Sequence, residues 1–182
     1  RERVLLRADG GGACGVGFLV GGSIADAAYG VSVTALGCVT NKTFTHELGH
    51  NMGCCHASGD GGGCTGGGLW SYSLGWRFNG QSGSQFRTIM AYAPGNRIDY
   101  FSNPRVNYDA RPTGVTIGQA NEADNATTIN DTWPTIAGFR CNRGAVSQAD
   151  CDGNASVDAL DVAFGLGSDC DGDGALDDCG FN

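Results

Sequence analysis

Three histidines and one glutamate have the spacing of a catalytic metal site. The segment His46–His56 reads HELGHNMGCCH and contains all three histidines of the chain. On a helix, His46 and His50 project from the same face one turn apart, so their imidazoles can bind one Zn²⁺. Gly53 permits a positive φ, with which the chain can leave the helix sharply and bring His56 to the metal as a third ligand.

The chemistry that this pattern predicts depends on Glu47, which directly follows the first histidine. Its carboxylate can reach a water on the metal without binding the metal itself. Three protein ligands leave a coordination position open for that water, as in catalytic zinc sites. Zinc lowers the pKa of the water to near ~7, and Glu47 can act as general base while the water attacks a peptide carbonyl. The pattern therefore predicts hydrolysis of a protein or peptide substrate.

Three alternatives to a catalytic zinc site fit part of the motif. A buried, hydrogen-bonded histidine pair would need no metal, but it would not account for the five fixed positions of the longer pattern. A purely structural zinc site would give Glu47 no role. Cys54 and Cys55 could also be metal ligands, although a disulfide from one of them to Cys64 is the simpler use.

The elements that must position these residues form an α+β domain. Strands are predicted at 4–7, 16–20 and 29–35, and strand-like or turn segments at about 70–78 and 87–92. A helix is predicted at about 41–52 and a second at about 122–139, with a break or kink near Pro134. A glycine-rich loop, residues 58–68, separates the motif from the segments that follow.

The composition excludes several classes of function. Nine cysteines in 182 residues favour a secreted protein, and the lack of an apolar run of about 20 residues predicts no membrane span. Residues 145–182 carry nine Asp and no Lys or Arg, which leaves all 11 basic and ten of the 19 acidic residues in 1–144. Without a basic patch, we predict no nucleic-acid binding. The start at Arg1, directly before an apolar stretch, predicts a fragment or a mature product.

The motif His46–His56 matches the metzincin pattern H-E-x-x-H-x-x-G-x-x-H at every fixed position. Thr88–Tyr92, TIMAY, resembles the Met-turn of that family, and RIDYFSNPRV and NEADNATTIN resemble its reprolysin-like and peptidyl-Asp members. The resemblance implies that Met90 lies beneath the zinc site and that Tyr92 stabilises the oxyanion. It also implies a twisted sheet packed on the active-site helix and a C-terminal helix, with the N-terminal part of the catalytic domain missing.

A glycine-rich stretch before the motif, CGVGFLVGG, resembles the edge strand to which an extended peptide substrate adds itself in reprolysin-like proteins. The implied substrate-facing residues are Gly17, Phe18, Leu19 and Val20. A plain edge strand fits the same stretch equally well. The resemblance places the wall of the S1′ pocket at about 93–100. Ala57 departs from the family pattern, which usually has Asp or Glu there, so the metzincin subgroup stays open.

The acidic tail has the pattern of calcium-binding repeats. The first repeat places oxygen donors at Asp150, Asp152, Asn154, Ser156, Asp158 and Asp161. An incomplete second repeat follows 19 residues later with Asp169, Asp171, Asp173 and Asp177. The repeats resemble dockerin-type EF-hand loops, which implies Ca²⁺ and a cohesin-like partner; a solvated acidic linker is the alternative.

These observations predict a partial metzincin catalytic domain at 1–140, a linker at 141–147 and calcium-binding repeats at 148–182. The predicted function is that of a secreted zinc metalloendopeptidase with Glu47 as general base. The alternative is a calcium-dependent binding or anchoring module attached to an inactive peptidase-like domain. The intact Glu47 argues against that alternative, because a degenerate site has no need of its base.

Overall fold

The computed structural model describes residues 3–7, 13–62, 64, 67–137 and 139. Nearly all of them belong to one compact unit, Arg1–Ala137. The predicted linker and all of the predicted calcium positions lie outside the described residues. Within the described part, no helix has the length and hydropathy needed to cross a membrane.

Helices and short strands alternate along the described chain, in agreement with the predicted mixture of helix and sheet. The strands are β1 Arg3–Arg7, β2 Gly15–Gly17, β3 Val31–Ala35, β4 Arg77–Asn79, β5 Gln85–Arg87, β6 Asn96–Arg97, β7 Asn107–Tyr108 and β8 Arg111–Pro112. The α-helices are α1 Thr43–Asn51 and α2 Asn125–Ala137, and 3-10 helices lie at Ile24–Tyr29 and Leu36–Asn41. Of the two segments predicted as strand-like or turn, 70–78 and 87–92, only residues 77–78 and 87 lie in β4 and β5, and the rest forms turns and irregular backbone.

The first sheet has the order β1-β3-β2, with β1 parallel and β2 antiparallel to β3. Helix α1 packs across β2 and β3. The helix starts at Thr43, after Lys42 in the left-handed conformation, and the Asn41 side-chain oxygen accepts a hydrogen bond from the Thr43 N–H at 3.1 Å. At its other end, the Asn51 amide donates to the carbonyls of Phe18 at 3.0 Å and Val31 at 3.2 Å. Both ends of the motif helix are therefore tied down.

Two disulfides hold the segments on either side of α1. Cys14–Cys38 joins the start of β2 to the second 3-10 helix, and Cys55–Cys64 closes the glycine-rich loop. The predicted disulfide from one of the two adjacent cysteines to Cys64 is confirmed. The other of the pair, Cys54, is a buried free thiol whose pKa is raised by burial.

The core beneath α1 is small and contains the methionine of the predicted Met-turn. Met90 and Cys54 are fully buried there together with Ile89, and Phe101 and Ile129 pack against them. Helix α2 brings threonines to this side of the core. Their hydroxyls form hydrogen bonds with other segments of the protein. The Thr128 hydroxyl donates to the Ser73 hydroxyl at 2.7 Å, and the Thr132 hydroxyl donates to the Met52 carbonyl at 3.0 Å.

The start of α2 is held by a buried carboxylate. Asp124 accepts from the Thr127 N–H at 3.0 Å and from both terminal nitrogens of Arg105 at 2.7 and 2.9 Å. Such a two-bond pairing is stronger and more directional than a single contact. Pro134 lies inside the helix, which continues to Ala137 without the predicted break.

Helix α1 lies very close to the core at Gly49. Adding one methyl group there should therefore destabilise the fold. A Cβ at this position would collide with Sδ of Met90 and lie 2.9 Å from Cε1 of Phe101. We expect Gly49→Ala to lower the free energy of unfolding by about 1–3 kcal/mol, because overpacking outweighs the better helix propensity of alanine. Urea unfolding followed by fluorescence measures the change.

The control for this prediction is Gly37→Ala, because a Cβ at Gly37 meets no atom within 4 Å. We expect that variant to change the free energy of unfolding by less than about 0.5 kcal/mol. Equal losses in the two variants would contradict the close packing at Gly49.

Candidate metal centre

The three histidines of the motif converge on one point. Helix α1 carries His46 and His50, and the chain then turns at Gly53, whose φ is 82°, and returns His56 to the same side. The Nε2 atom of His56 lies 3.1 Å from Nε2 of His46 and 3.0 Å from Nε2 of His50. All three imidazoles are buried.

A backbone carbonyl orients each ring from its other nitrogen. The Nδ1-to-oxygen pairs are His46 with Ile89, His50 with Cys54 and His56 with Gly61, each at 2.9 Å. A carbonyl only accepts hydrogen bonds, so each Nδ1 carries the proton and each Nε2 presents a lone pair. Three lone pairs that face one another repel unless a cation lies between them. A tetrahedral zinc site needs roughly 3.3 Å between ligand nitrogens, so this donor set fits zinc after a small adjustment.

The electrostatics of the rings agree with a metal-binding role. Burial lowers the pKa of His46 to about 3 and that of His50 to about 4, and it also lowers the pKa of His56. The neighbouring imidazoles contribute to the lower pKa of His46 and His50. All three rings are therefore neutral at neutral pH, which is the form that binds a metal.

Glu47 lies between α1 and the edge strand β2. A Cβ at Gly15 would collide with the Glu47 carboxylate, and a Cβ at Gly17 would lie 2.8 Å from the Glu47 carbonyl oxygen. Glycine at both strand positions is thus what allows β2 to pass over the glutamate. Burial raises the pKa of Glu47 to about 7, while the positive charge of Arg97 acts in the opposite direction. A cation held by the histidines would lower this pKa further.

The predicted Met-turn contributes to the centre at three points. Its Ile89 carbonyl orients His46, and Met90 is fully buried against the helix that carries the first two histidines. The ring of Tyr92 lies over His56, with 4.2 Å between ring centroids, and it is partly exposed. The segment Thr88–Tyr92 therefore supports the imidazoles from below and from one side.

The four residues predicted to face a substrate do not share one environment. Gly17 ends β2, the edge strand of its sheet among the described residues. Phe18 and Leu19 follow it and are 51% and 43% exposed. Val20 is buried, and its N–H donates to the His50 carbonyl at 3.2 Å. The first three residues can reach a bound peptide, whereas Val20 anchors the strand to α1.

An ion pair that the residue pattern did not predict joins the loop of His56 to the Met-turn. The Asp60 carboxylate, 7% exposed, accepts from Arg77 at 2.6 Å and from the Tyr92 N–H at 2.9 Å. The same Arg77 nitrogen donates to the Tyr92 carbonyl at 3.1 Å. Both backbone polar groups of Tyr92 are thus bonded by one ion pair.

The signal for Asp60 was present in the sequence as a departure from the family pattern. Ala57 occupies the position where an acidic residue was expected, and it is buried. Asp60, three residues further along, supplies a carboxylate to the Met-turn instead. The partner Arg77 could not be found from the sequence, because it comes from β4.

The fold and the convergent histidines define a metallopeptidase, and residues 3–123 match the reprolysin-like group of metallopeptidase family M12B. The chain belongs to this family. No solved structure matches it significantly.

Its curated relatives carry one name, peptidyl-Asp metalloendopeptidase. The protein from Stenotrophomonas maltophilia (strain R551-3) is 37% identical over 101 residues, which cover 54% of this chain and 22% of that protein. The one from Xanthomonas campestris pv. campestris is 36% identical with the same coverage. The one from Pseudomonas fragi is 33% identical over 113 residues, which cover 59% of this chain and 65% of that protein. The chain thus spans about a fifth of the length of the first two.

Loss of the Asp60 carboxylate should lower the free energy of unfolding more than loss of the exposed Asp99 carboxylate. We expect Asp60→Ala to lower the free energy of unfolding by about 1–3 kcal/mol, because it removes the carboxylate that pairs with Arg77 and leaves the Tyr92 N–H without its acceptor. Urea unfolding of the metal-free chain measures the change. The control is Asp99→Ala, which removes an exposed ion pair with Lys42 and should have an effect below about 1 kcal/mol. Equal effects would show that the Asp60 pair is no more than a surface contact.

Proposed function

We propose that the protein is a zinc-dependent metalloendopeptidase, with the metal held by His46, His50 and His56. The observation that carries this proposal is the convergence of three unprotonated Nε2 atoms, with that of His56 3.1 and 3.0 Å from the other two, beside a buried glutamate. A closed structural site would need a fourth protein ligand. Among the described residues, the cluster contains only the three histidines.

Glu47, Tyr92 and Met90 each have a separate role in the proposed mechanism. Bound zinc would supply a Lewis acid that polarises the scissile carbonyl and acidifies a water molecule. Glu47 accepts a proton from the attacking water and passes it to the leaving amine. The hydroxyl of Tyr92 stabilises the oxyanion, and Met90 supports the histidines from below without binding metal.

The peptide substrate lies along the edge of β2. The edge of this strand that has no partner among the described residues can pair with an extended peptide by backbone hydrogen bonds, and Gly17, Phe18 and Leu19 are the residues that the peptide meets. Because β2 passes directly over Glu47, a peptide bound there presents its backbone close to the general base. The relatives' name supports cleavage next to an aspartate.

The rest of the proposal concerns location and the acidic tail. The two disulfides agree with a secreted protein. We infer a catalytic domain over 1–140 with the packing of a metzincin. Residues 148–182 bind Ca²⁺ through the repeated aspartates named above, and this tail can recruit a cohesin-like partner.

The general-base role is tested with Glu47→Gln in the full chain loaded with zinc. The amide keeps the shape of the side chain but cannot accept the proton, so we expect kcat to fall by about 10²–10⁴-fold. Zinc content, measured by atomic emission, should stay at one ion per histidine site. Hydrolysis of fluorogenic peptides that contain aspartate measures the rate.

The matched control is Glu122→Gln, which removes a carboxylate far from the histidines in the sequence and hydrogen-bonded to the Gly118 N–H. It should leave kcat and zinc content unchanged. If the zinc-loaded wild type cleaves no peptide, or if Glu47→Gln retains full activity, the proposed mechanism is wrong.

A further inference from the structure

Three arginines lie on the strands around the Met-turn, and two of them have structural partners. Arg77 is paired with Asp60. Arg87 donates from Nε to the Gly95 carbonyl and from Nη1 to the Ala91 carbonyl, both at 2.8 Å. These contacts hold the turn in shape, so the two guanidinium groups are not available to a ligand.

Arg97 differs from both of them. Its Nη1 donates to the Asn41 carbonyl at 2.7 Å, which is its one hydrogen bond to the described residues. Its Nε is buried and has no acceptor, and no carboxylate of the described chain forms an ion pair with Arg97. A partly buried guanidinium with unpaired donors is unfavourable unless an anion binds to it.

The position of Arg97 relates this charge to the metal centre. The residue ends β6, shortly after the Met-turn, and Asn41 immediately precedes the segment that begins α1. The guanidinium therefore joins the strand that follows the Met-turn to the residue two positions before α1, the helix that carries His46, Glu47 and His50. No ion pair forms between Arg97 and Glu47, and the charge of Arg97 thus remains available.

Lys42, which directly follows Asn41, does not offer the same binding site. Lys42 forms an ion pair with Asp99 at 3.1 Å, and both side chains are largely exposed. Its charge is neutralised by a partner and screened by solvent. Arg87 has no carboxylate partner either, but carbonyls accept from its Nε and Nη1. Among the described arginines of these strands, Arg97 is thus the one whose buried Nε has no acceptor.

We propose that Arg97 is a specificity-determining residue that binds the side-chain carboxylate of an aspartate adjacent to the scissile bond. This inference rests on the proposed peptidase function and adds to it the residue that recognises the substrate. A planar guanidinium offers two parallel N–H donors to a carboxylate, and this pairing rejects the neutral amide of asparagine. Discrimination by a charged hydrogen bond of this kind corresponds to about tenfold or more in affinity.

The test measures binding separately from hydrolysis. Zinc-loaded full chain carrying Glu47→Gln is titrated by calorimetry with two peptides that differ only in Asp or Asn, placed on either side of the bond to be cleaved. We expect the Asp peptide to bind about tenfold or more tightly in one of the two placements. Adding Arg97→Gln should abolish that preference, and Arg97→Lys should restore part of it, because it keeps the charge but loses the paired donors.

Lys42→Gln in the same background is the matched control, because it removes one positive charge nearby without touching Arg97. It should leave the Asp-to-Asn ratio unchanged. The proposal is overturned if Arg97→Gln weakens both peptides equally, which would indicate a structural role or an effect on the position of Glu47. It is also overturned if neither placement of Asp is preferred by the chain that retains Arg97.

A second measurement separates this inference from the proposed function. With Glu47 intact, the ratio of kcat/KM for the Asp and Asn peptides should fall about tenfold or more on Arg97→Gln. A chain that hydrolyses both peptides equally well contradicts the role of Arg97 but leaves the peptidase function standing. A chain that binds the Asp peptide through Arg97 yet hydrolyses neither contradicts the peptidase function and supports the binding role.

Discussion

The centre depends on three hydrogen bonds from histidine Nδ1 atoms to backbone carbonyls. These bonds place the proton on the outer nitrogen of each ring and turn the unprotonated nitrogens towards one another. The carbonyls come from the Met-turn, the end of the motif helix and the glycine-rich loop. Any change that displaces one of these three segments therefore changes the geometry of a metal ligand, even if the histidine is intact.

Small residues allow these segments to come close enough. Gly15 and Gly17 let the edge strand pass over Glu47, and Gly49 lets the motif helix rest on Met90. The hydrophobic core is correspondingly small, and much of the interior is polar. Disulfides, bonded threonine hydroxyls and the paired Asp124 carboxylate contribute where apolar area is limited.

The motif helix and its ligands could be predicted from the residue pattern, because their geometry is local. A spacing of four residues places two histidines on one helical face, and a glycine after the helix permits the turn to the third. A disulfide from Cys54 or Cys55 to Cys64 and the existence of α2 were predicted for the same reason, since short spacing and local periodicity carried the information; the structure selects Cys55. For the segments 70–78 and 87–92 the residue pattern left strand and turn open, and most of both forms turns and irregular backbone.

The pattern of residue types thus determined which groups can bind a metal and where the helix that holds them begins and ends. The tertiary structure decided which carbonyl orients each ring, that Asp60 and Arg77 bond both sides of Tyr92, and that Arg97 has no carboxylate partner among the described residues. These contacts join residues far apart in the chain. Their existence depends on the packing of separate elements, and no local spacing records that packing.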